Sequence, residues 1–283
     1  MFGAFSIMKI EVYGNEVKPQ IAESIIKKIK QRKGLENADD ELVSEKIAEF
    51  LKKDSKALKR ISSAEDFNSI ARSKEVEAVI KHVRAELRHV YGLFIAENLE
   101  DLKEIISSGA SEIRDILMRH VSSKERISFC EEFYRRIFDI TGKPDSIIDI
   151  ACGLNPLSFE FMDLPKKTRY YALELNQNDA DAINEFFSRW GIDGKAFKHD
   201  ITKKPIRYKA DIAFAFKIFD IIDNKITERI LKELDVKWIA ASFSTKTVGK
   251  KDMMFRRRAG FQKMLRRLEM EYQTIEFPNE IVY

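Results

Sequence analysis

Cysteine is scarce in this sequence: of 283 residues only Cys130 and Cys152 are thiols, and no C-x-x-C spacing links them. Such a pair supports neither a disulfide framework nor a zinc cluster, so reduced, buried thiols and no metal site are expected. Long apolar runs are missing as well. None approaches the ~18 residues that cross a bilayer. The opening MFGAFSIMKIEVYG has neither the basic start nor the small-residue cleavage site of a secretory signal. A soluble, cytoplasmic protein with no membrane partner is expected. A large excess of charge is also lacking, because the net charge is only +4 with 34% charged residues. Any affinity for nucleic acid must then come from local clustering. No internal repeat or low-complexity segment is present.

The charge that is present is unevenly placed. Residues 1–118 carry 20 Lys+Arg against 21 Asp+Glu, and residues 119–283 carry 30 against 25. Within the second part, TKTVGKKDMMFRRRAGFQKMLRR (Thr245 to Arg267) holds nine basic residues and one acidic, Asp252. That stretch is the basic patch of the chain.

Periodicity divides the chain in the same place. Residues 1–118 read almost wholly as helices: VKPQIAESIIKKIKQRKG sets Ile21, Ile25, Ile26 and Ile29 on one face, and DDELVSEKIAEFLKKDSKALKRI repeats the pattern with Leu42, Ile47, Phe50 and Leu51. EVEAVIKHVRAELRHVYGLF and NLEDLKEIISSG follow. From His120 onward, short β-rich runs alternate with helical ones, the grammar of a parallel sheet with crossover helices. Strands are expected at Ser146–Ala151, Tyr170–Leu175, Gly194–Lys198, Asp211–Phe216 and Trp238–Phe243, with a closing hairpin in YQTIEFPNEIVY. The expected organisation is an α-helical domain over 1–118 followed by a Rossmann-like α/β domain over 119–283.

In an open α/β sheet a ligand sits beyond the carboxyl ends of the strands, near the point where strand order reverses. The first such loop reads SIIDIACGLNPLSFEF. Gly153 lets a ligand approach the backbone, and Asn155 tolerates positive φ. One glycine suits a nucleoside better than a pyrophosphate, which asks for the fuller G-x-G-x-x-G run. The next strand ends at Glu174, where a carboxylate can accept both hydrogen bonds of a ribose diol. The third is followed by KHDITKKP, which sets Asp200 where an acid commonly faces an adenine amino group. Singly, Glu174 reads equally as a solvated strand end and Asp200 as a helix N-cap. Together the three loops have the pattern of an S-adenosylmethionine-dependent methyltransferase. Upstream, Ser122 and Glu125 stand at capping-box spacing, which would place Arg126 in a first helical turn, where it asks for an anion such as the cofactor's methionine carboxylate.

At HVSSKER, DIACGLNPLSF, the Glu174 strand end, SFSTKTVGKKDMM and FPNEIVY the sequence resembles the 16S ribosomal RNA guanine-N7 methyltransferases of the aminoglycoside-resistance type, the Arm/Rmt and Fmr group. The resemblance covers roughly His82 to Tyr283. It implies a helical extension that docks on the small ribosomal subunit or its rRNA, ahead of a Rossmann-like catalytic domain that binds S-adenosyl-L-methionine. By position, Arg126 would hold the cofactor carboxylate, Gly153 the methionine moiety, Glu174 the ribose and Asp200 the adenine. Ala151, Asn155, Leu175, Ile201 and Phe216 would complete the cofactor site. The chain departs from the family in AFAFKIFDIID, where a Leu-Pro is usual.

Guanine N7 carries an in-plane lone pair, so its methylation needs positioning rather than deprotonation. The sequence has no Asp-Pro-Pro-Tyr or Asn-Pro-Pro-Tyr run for an exocyclic amine and no Pro-Cys for covalent attack on a pyrimidine. Lys217, after the fourth strand, is the candidate catalytic residue, and a solvated lysine is the bland reading of it. Lys250, Lys251, Arg256, Arg257, Arg258, Arg266 and Arg267 are the candidate RNA contacts, and KKDSKALKR (Lys52 to Arg60) offers a second basic face. Two other classes stay open: a small-molecule methyltransferase, and a catalytically silent RNA-binding protein with a nucleotide site.

Overall fold

The computed structural model describes residues 10–32, 34–36, 38–90, 106, 113–118, 121–246, 253 and 258–283. The chain separates into two compact units, residues 1–100 and 101–283. The division therefore falls earlier than the 118/119 boundary expected from the change in periodicity. Among the described residues no helix is long and apolar enough to cross a membrane.

The first unit opens with a feature that the helical reading does not anticipate. Strands β1 (Ile10–Val12) and β2 (Asn15–Val17) form an antiparallel hairpin. Tyr13 and Gly14 turn it with φ of 51° and 74°, the mirror-image turn that matches strand twist. Three-residue strands leave too short a period-2 signal to stand out. Helix α1 (Pro19–Lys30) buries Ile21, Ile25, Ile26 and Ile29, the expected stripe. The next apolar pattern is two helices, α2 (Asp40–Lys53) and α3 (Ser55–Ser62). They break at Asp54, whose carboxylate accepts from the amides of Lys56 and Ala57 and so caps α3. Phe50 is only partly buried and rests 4.9 Å from the His82 ring of α4 (Lys74–Val90). The expected helix NLEDLKEIISSG lies outside the described residues except for Ile106.

In the second unit α5 (Ile113–Leu117), α6 (Val121–Arg126) and α7 (Cys130–Thr141) precede the sheet. The chain then runs β3 (Ser146–Ile150), β4 (Arg169–Glu174), α8 (Gln177–Trp190), β5 (Gly194–Lys198), β6 (Lys209–Phe216), α9 (Asn224–Glu233), β7 (Asp235–Ser244), α10 (Ala259–Arg267), β8 (Ile275–Glu276) and β9 (Glu280–Val282). Strand order is β5-β4-β3-β6-β7-β9-β8. The five central strands are parallel, and β9 runs antiparallel to β7 with Ser244 opposite Glu280. Order reverses between β3 and β6, which sets the switch point at the loops after those strands. Alternation fills the two faces separately. Phe133, Tyr134 and Phe138 of α7 pack against Phe214 and Phe216 on one face. Ile148, Ile150, Ala213 and Ala215 meet Ile230, Leu231, Phe261 and Leu265 on the other.

Candidate functional site

Backbone geometry marks the first loop. Directly after β3, Ala151 and Gly153 both stand at φ 51°. An alanine there is strained by about 1 kcal/mol and persists only where its surroundings hold it. The positive φ falls on these two rather than on Asn155, which instead opens a 3-10 turn with its side chain buried. The loop is clamped to the next strand, because the Gly153 amide donates to Glu174 Oε2 at 2.9 Å. Glu174 Oε1 accepts from the amides of Leu175 and Asn176 at 2.8 and 3.3 Å. Burial raises the Glu174 carboxyl against the pull of those three amides. Asp179, in the first turn of α8, is pushed up to about 7 by burial and by the charge of Glu174. Glu174 is thus an enclosed acceptor and not a solvated strand end.

Asn155 belongs to a buried polar network. Its Oδ1 accepts from Arg126 at 3.0 Å and from the Tyr134 hydroxyl at 2.7 Å, while its Nδ2 donates to Asp149 Oδ2 at 2.8 Å. The Tyr170 hydroxyl donates to the same Asp149 oxygen at 2.6 Å. Burial lifts the Asp149 carboxyl to about 7 in spite of those two bonds. Periodicity does not single out Asp149, Tyr134 or Tyr170. The available signal was an acid in the middle of the apolar run SIIDI, which burial can hold only with partners.

Arg126 corrects a local expectation. It is the last residue of α6 and not in its first turn, because the helix already begins at Val121. The Ser122/Glu125 spacing therefore does not act as a capping box; the Glu125 carboxylate pairs with Lys217 Nζ at 2.6 Å. The anion that Arg126 asks for is supplied from within the chain. Glu280 of FPNEIVY takes its Nη2 at 2.6 Å and its Nε at 3.3 Å. Phe133 and Phe216 flank the guanidinium at 4.2 and 4.6 Å. Burial works against both charges, but their mutual attraction outweighs it: Arg126 is raised, and Glu280, also facing Lys217, is lowered.

Lys217 follows β6 with φ 60° and a side chain 7% exposed, so the solvated reading of it does not hold. Its amide donates to the Ser242 carbonyl at 2.9 Å. Asp200 turns into its own loop, accepting from the Thr202 amide and hydroxyl at 2.9 and 2.6 Å. No helix follows it, so the N-cap reading of Asp200 fails as well. Ile201 is a core residue on the α9 face. Among the described residues, then, Arg126, Asn155 and Phe216 meet in one cluster, and Ala151, Gly153, Glu174 and Leu175 in an adjoining one; the loop of Asp200 is tied to the second by the His199 amide, which donates to the Glu174 carbonyl at 2.7 Å, and Ile201 shares a hydrophobic cluster with Ala151. Both cysteines are free and buried, and burial raises their thiols, Cys130 to about 11. That chemistry suits packing rather than nucleophilic attack.

The basic run divides too. Lys250, Lys251, Arg256 and Arg257 lie outside the described residues. Arg258 is not a free phosphate contact: it grips Asp220 through two bonds of 3.0 and 3.1 Å and the Ser244 carbonyl at 2.7 Å. Arg267 pairs with Glu228 at 2.5 Å yet stays 62% exposed, and Arg266 is exposed.

A 16S rRNA (guanine(1405)-N(7))-methyltransferase of Micromonospora rosea is 25% identical over 231 residues, 76% of this chain and 84% of its own. The enzyme of the same description from Proteus mirabilis is 28% identical over 227 residues, 71% and 75% of the two chains. The crystal structure of the 16S rRNA methyltransferase RmtF in complex with S-adenosyl-L-homocysteine superposes with a TM-score of 0.68 at 19% identity, covering 93% of this chain and 97% of that one. The model of the family described as "Ribosomal RNA methyltransferase (FmrO)" matches residues 57–283, which takes in α4 and most of α3 as well as the whole sheet. A sheet whose switch point carries the clamped Gly153 loop, on a chain matched over that length, belongs to the FmrO family of ribosomal RNA methyltransferases.

Proposed function

We propose that this protein transfers the methyl group of S-adenosyl-L-methionine to N7 of a guanine in small-subunit ribosomal RNA, acting in the cytoplasm on the small subunit. The observation that carries the reading is the Glu174 clamp, an enclosed carboxylate joining the ends of β3 and β4 at the switch point within a chain of this family.

The residues fit the cofactor. Glu174 accepts three amides and, at Oε2, the Cys152 thiol at 3.9 Å, a weak donor that a ribose hydroxyl would replace. Each terminal nitrogen of Arg126 carries two N–H groups and commits one of them, to Asn155 and to Glu280, so a further N–H on each can meet a carboxylate. Ala151, Gly153, Leu175 and Phe216 line the same two loops and the β6 end. Asp200 is within the loop that follows β5, and adenine recognition through it would use its second oxygen. When bound, S-adenosylmethionine supplies an electrophilic methyl group on a sulfonium.

The chain's own part is orientation. Guanine N7 needs no base, so the half-buried Lys217–Glu125 and the buried Arg126–Glu280 pairs hold the walls of the site rather than move a proton. Lys217, beyond the strand next to the cofactor loop and paired with Glu125, would help to position the acceptor. The helical first unit, with Lys52, Lys53, Lys56, Lys59 and Arg60 exposed, together with Arg266, Arg267 and the run Lys250 to Arg257, would meet the phosphate backbone.

The test is to incubate unmodified small subunits with the protein and labelled S-adenosylmethionine and to map 7-methylguanine. Wild type should modify one position. Glu174→Gln should weaken cofactor binding by one to two orders of magnitude, about 1.5–3 kcal/mol. Absence of 7-methylguanine with folded wild type would overturn the reading, and an unchanged cofactor Kd in the variant would remove Glu174 from the site.

A further inference from the structure

Two buried polar atoms, on residues that face each other beyond the ends of β7 and β9, have no hydrogen-bond partner among the described residues: Thr245 Oγ1 and Asn279 Oδ1. Each follows or precedes by one residue the last paired position, Ser244 opposite Glu280. Their backbones are joined, the Thr245 amide donating to the Asn279 carbonyl at 2.9 Å. Thr245 is only 1% exposed. A buried polar group left unpaired is costly, so two together at one edge of a site point to a ligand that completes them.

Their chemistry is fixed by their neighbours. Asn279 Nδ2 donates to the Glu125 carbonyl at 2.8 Å, which leaves Oδ1 as an acceptor facing the other way and forbids the flipped amide. Thr245 brings a hydroxyl that can donate. The pair therefore presents an acceptor beside a donor. Guanine carries the complement on its Watson–Crick edge, where N1–H donates beside the O6 acceptor. Adenine reverses that order, setting its N1 lone pair against Asn279 Oδ1.

Position separates this edge from the cofactor. The cofactor loop follows β3, and β6 lies between β3 and β7, so two strand spacings, about 10 Å, divide the loop from Thr245. Lys217 and Glu125 occupy the interval. Lys217 follows β6, and Glu125 binds both its ammonium and, through the main chain, Asn279.

We propose that Thr245 and Asn279 read the O6 and N1–H edge of the target guanine while its N7 is turned toward the methyl donor, and so decide guanine over adenine. This rests on the guanine-N7 reading above. Adenine also has an N7 lone pair, so rejecting it requires contacts of this kind rather than a difference in the reacting atom.

The experiment uses full-length protein, unmodified small subunits and subunits carrying adenosine at the modified position, with wild type, Thr245→Val, Thr245→Ser and Asn279→Ala. Thr245→Val keeps the shape and removes the hydroxyl. It should melt no lower than wild type, bind S-adenosylmethionine with unchanged Kd and lose about tenfold in kcat/KM, the effect of one net hydrogen bond. Thr245→Ser should restore activity to near wild type. Asn279→Ala should narrow the preference for guanine over adenine by about tenfold or more. Should Thr245→Val fold poorly, Thr245→Ala serves the same comparison. Wild-type kcat/KM in the hydroxyl-free variant overturns the proposal, as does an activity loss that tracks a weaker cofactor Kd. A wild type that makes no 7-methylguanine overturns the guanine reading and this inference with it.

Discussion

Replacing Glu280 by glutamine perturbs the ion pair that ties the last strand to the helices ahead of the sheet. The Glu280 and Arg126 side chains are 0% and 5% exposed and meet at 2.6 Å. At that separation a pair of unit charges attracts by roughly 6 kcal/mol for an effective dielectric near 20. Most of that attraction offsets the cost of desolvating both groups, so the intact pair adds little net stability. Removing one charge is different, because the other stays buried. Arg126 lies between Phe133 and Phe216 and cannot reach water without unpacking α7. Breaking such a pair costs about 3–5 kcal/mol, and glutamine, which keeps one acceptor, belongs at the lower end. For a unit of this size each kcal/mol lowers Tm by roughly 2–4 °C, so a fall of about 6–12 °C is expected at pH 7. The pH dependence has a definite sign. The folded Glu280 carboxyl is held below its ordinary range, so its stabilisation is present above the unfolded value and is lost as pH falls through the folded one. Melting curves of wild type and Glu280→Gln should be far apart at pH 7 and converge in acid. A variant melting within about 2 °C of wild type at pH 7, or a gap that persists unchanged in acid, would refute the reasoning.

Asp149→Asn should alter the pH dependence in the opposite sense. The folded carboxyl is raised to about 7, so its contribution is complete below the unfolded value and is lost as pH rises toward 7, by up to roughly 4 kcal/mol at 1.36 per unit. Both neighbours donate to Oδ2, and an asparagine oxygen there can keep them; denaturant titrations from pH 4 to 7 should show wild type losing stability relative to the variant, and parallel curves would disprove the assignment. Arg258→Gln should cost about 1–3 kcal/mol of stability through the lost grip on Asp220 and Ser244 while leaving the salt slope of RNA binding unchanged. Arg266→Gln, on an exposed position, should leave Tm unchanged and flatten that slope by roughly 0.7–0.9; the reverse result would exchange their roles.

The sequence by itself determined the sheet and where to look on it. Strands buried on both faces must be continuously apolar, and that requirement writes itself into SIIDI, RYYALE and KADIAFAF as short-range pattern. The Gly153 loop and Glu174 were legible for the same reason, since each lies at a strand end whose position the pattern fixes. The hairpin Ile10–Val17 and the break at Asp54 escaped because three-residue strands and a single capping side chain leave almost no periodic trace. Only the tertiary structure decided which charges meet. Arg126 and Glu280 are 154 residues apart, and Lys217 reaches Glu125 across 92. Nothing local in either sequence neighbourhood distinguishes a buried, paired arginine from a solvated one. The same holds for Arg258, which sits in a run of three arginines and became structural because Asp220 and the Ser244 carbonyl lie beneath it. Composition gives a charge its sign, but its partner is chosen by the sheet that brings distant strand ends to one side.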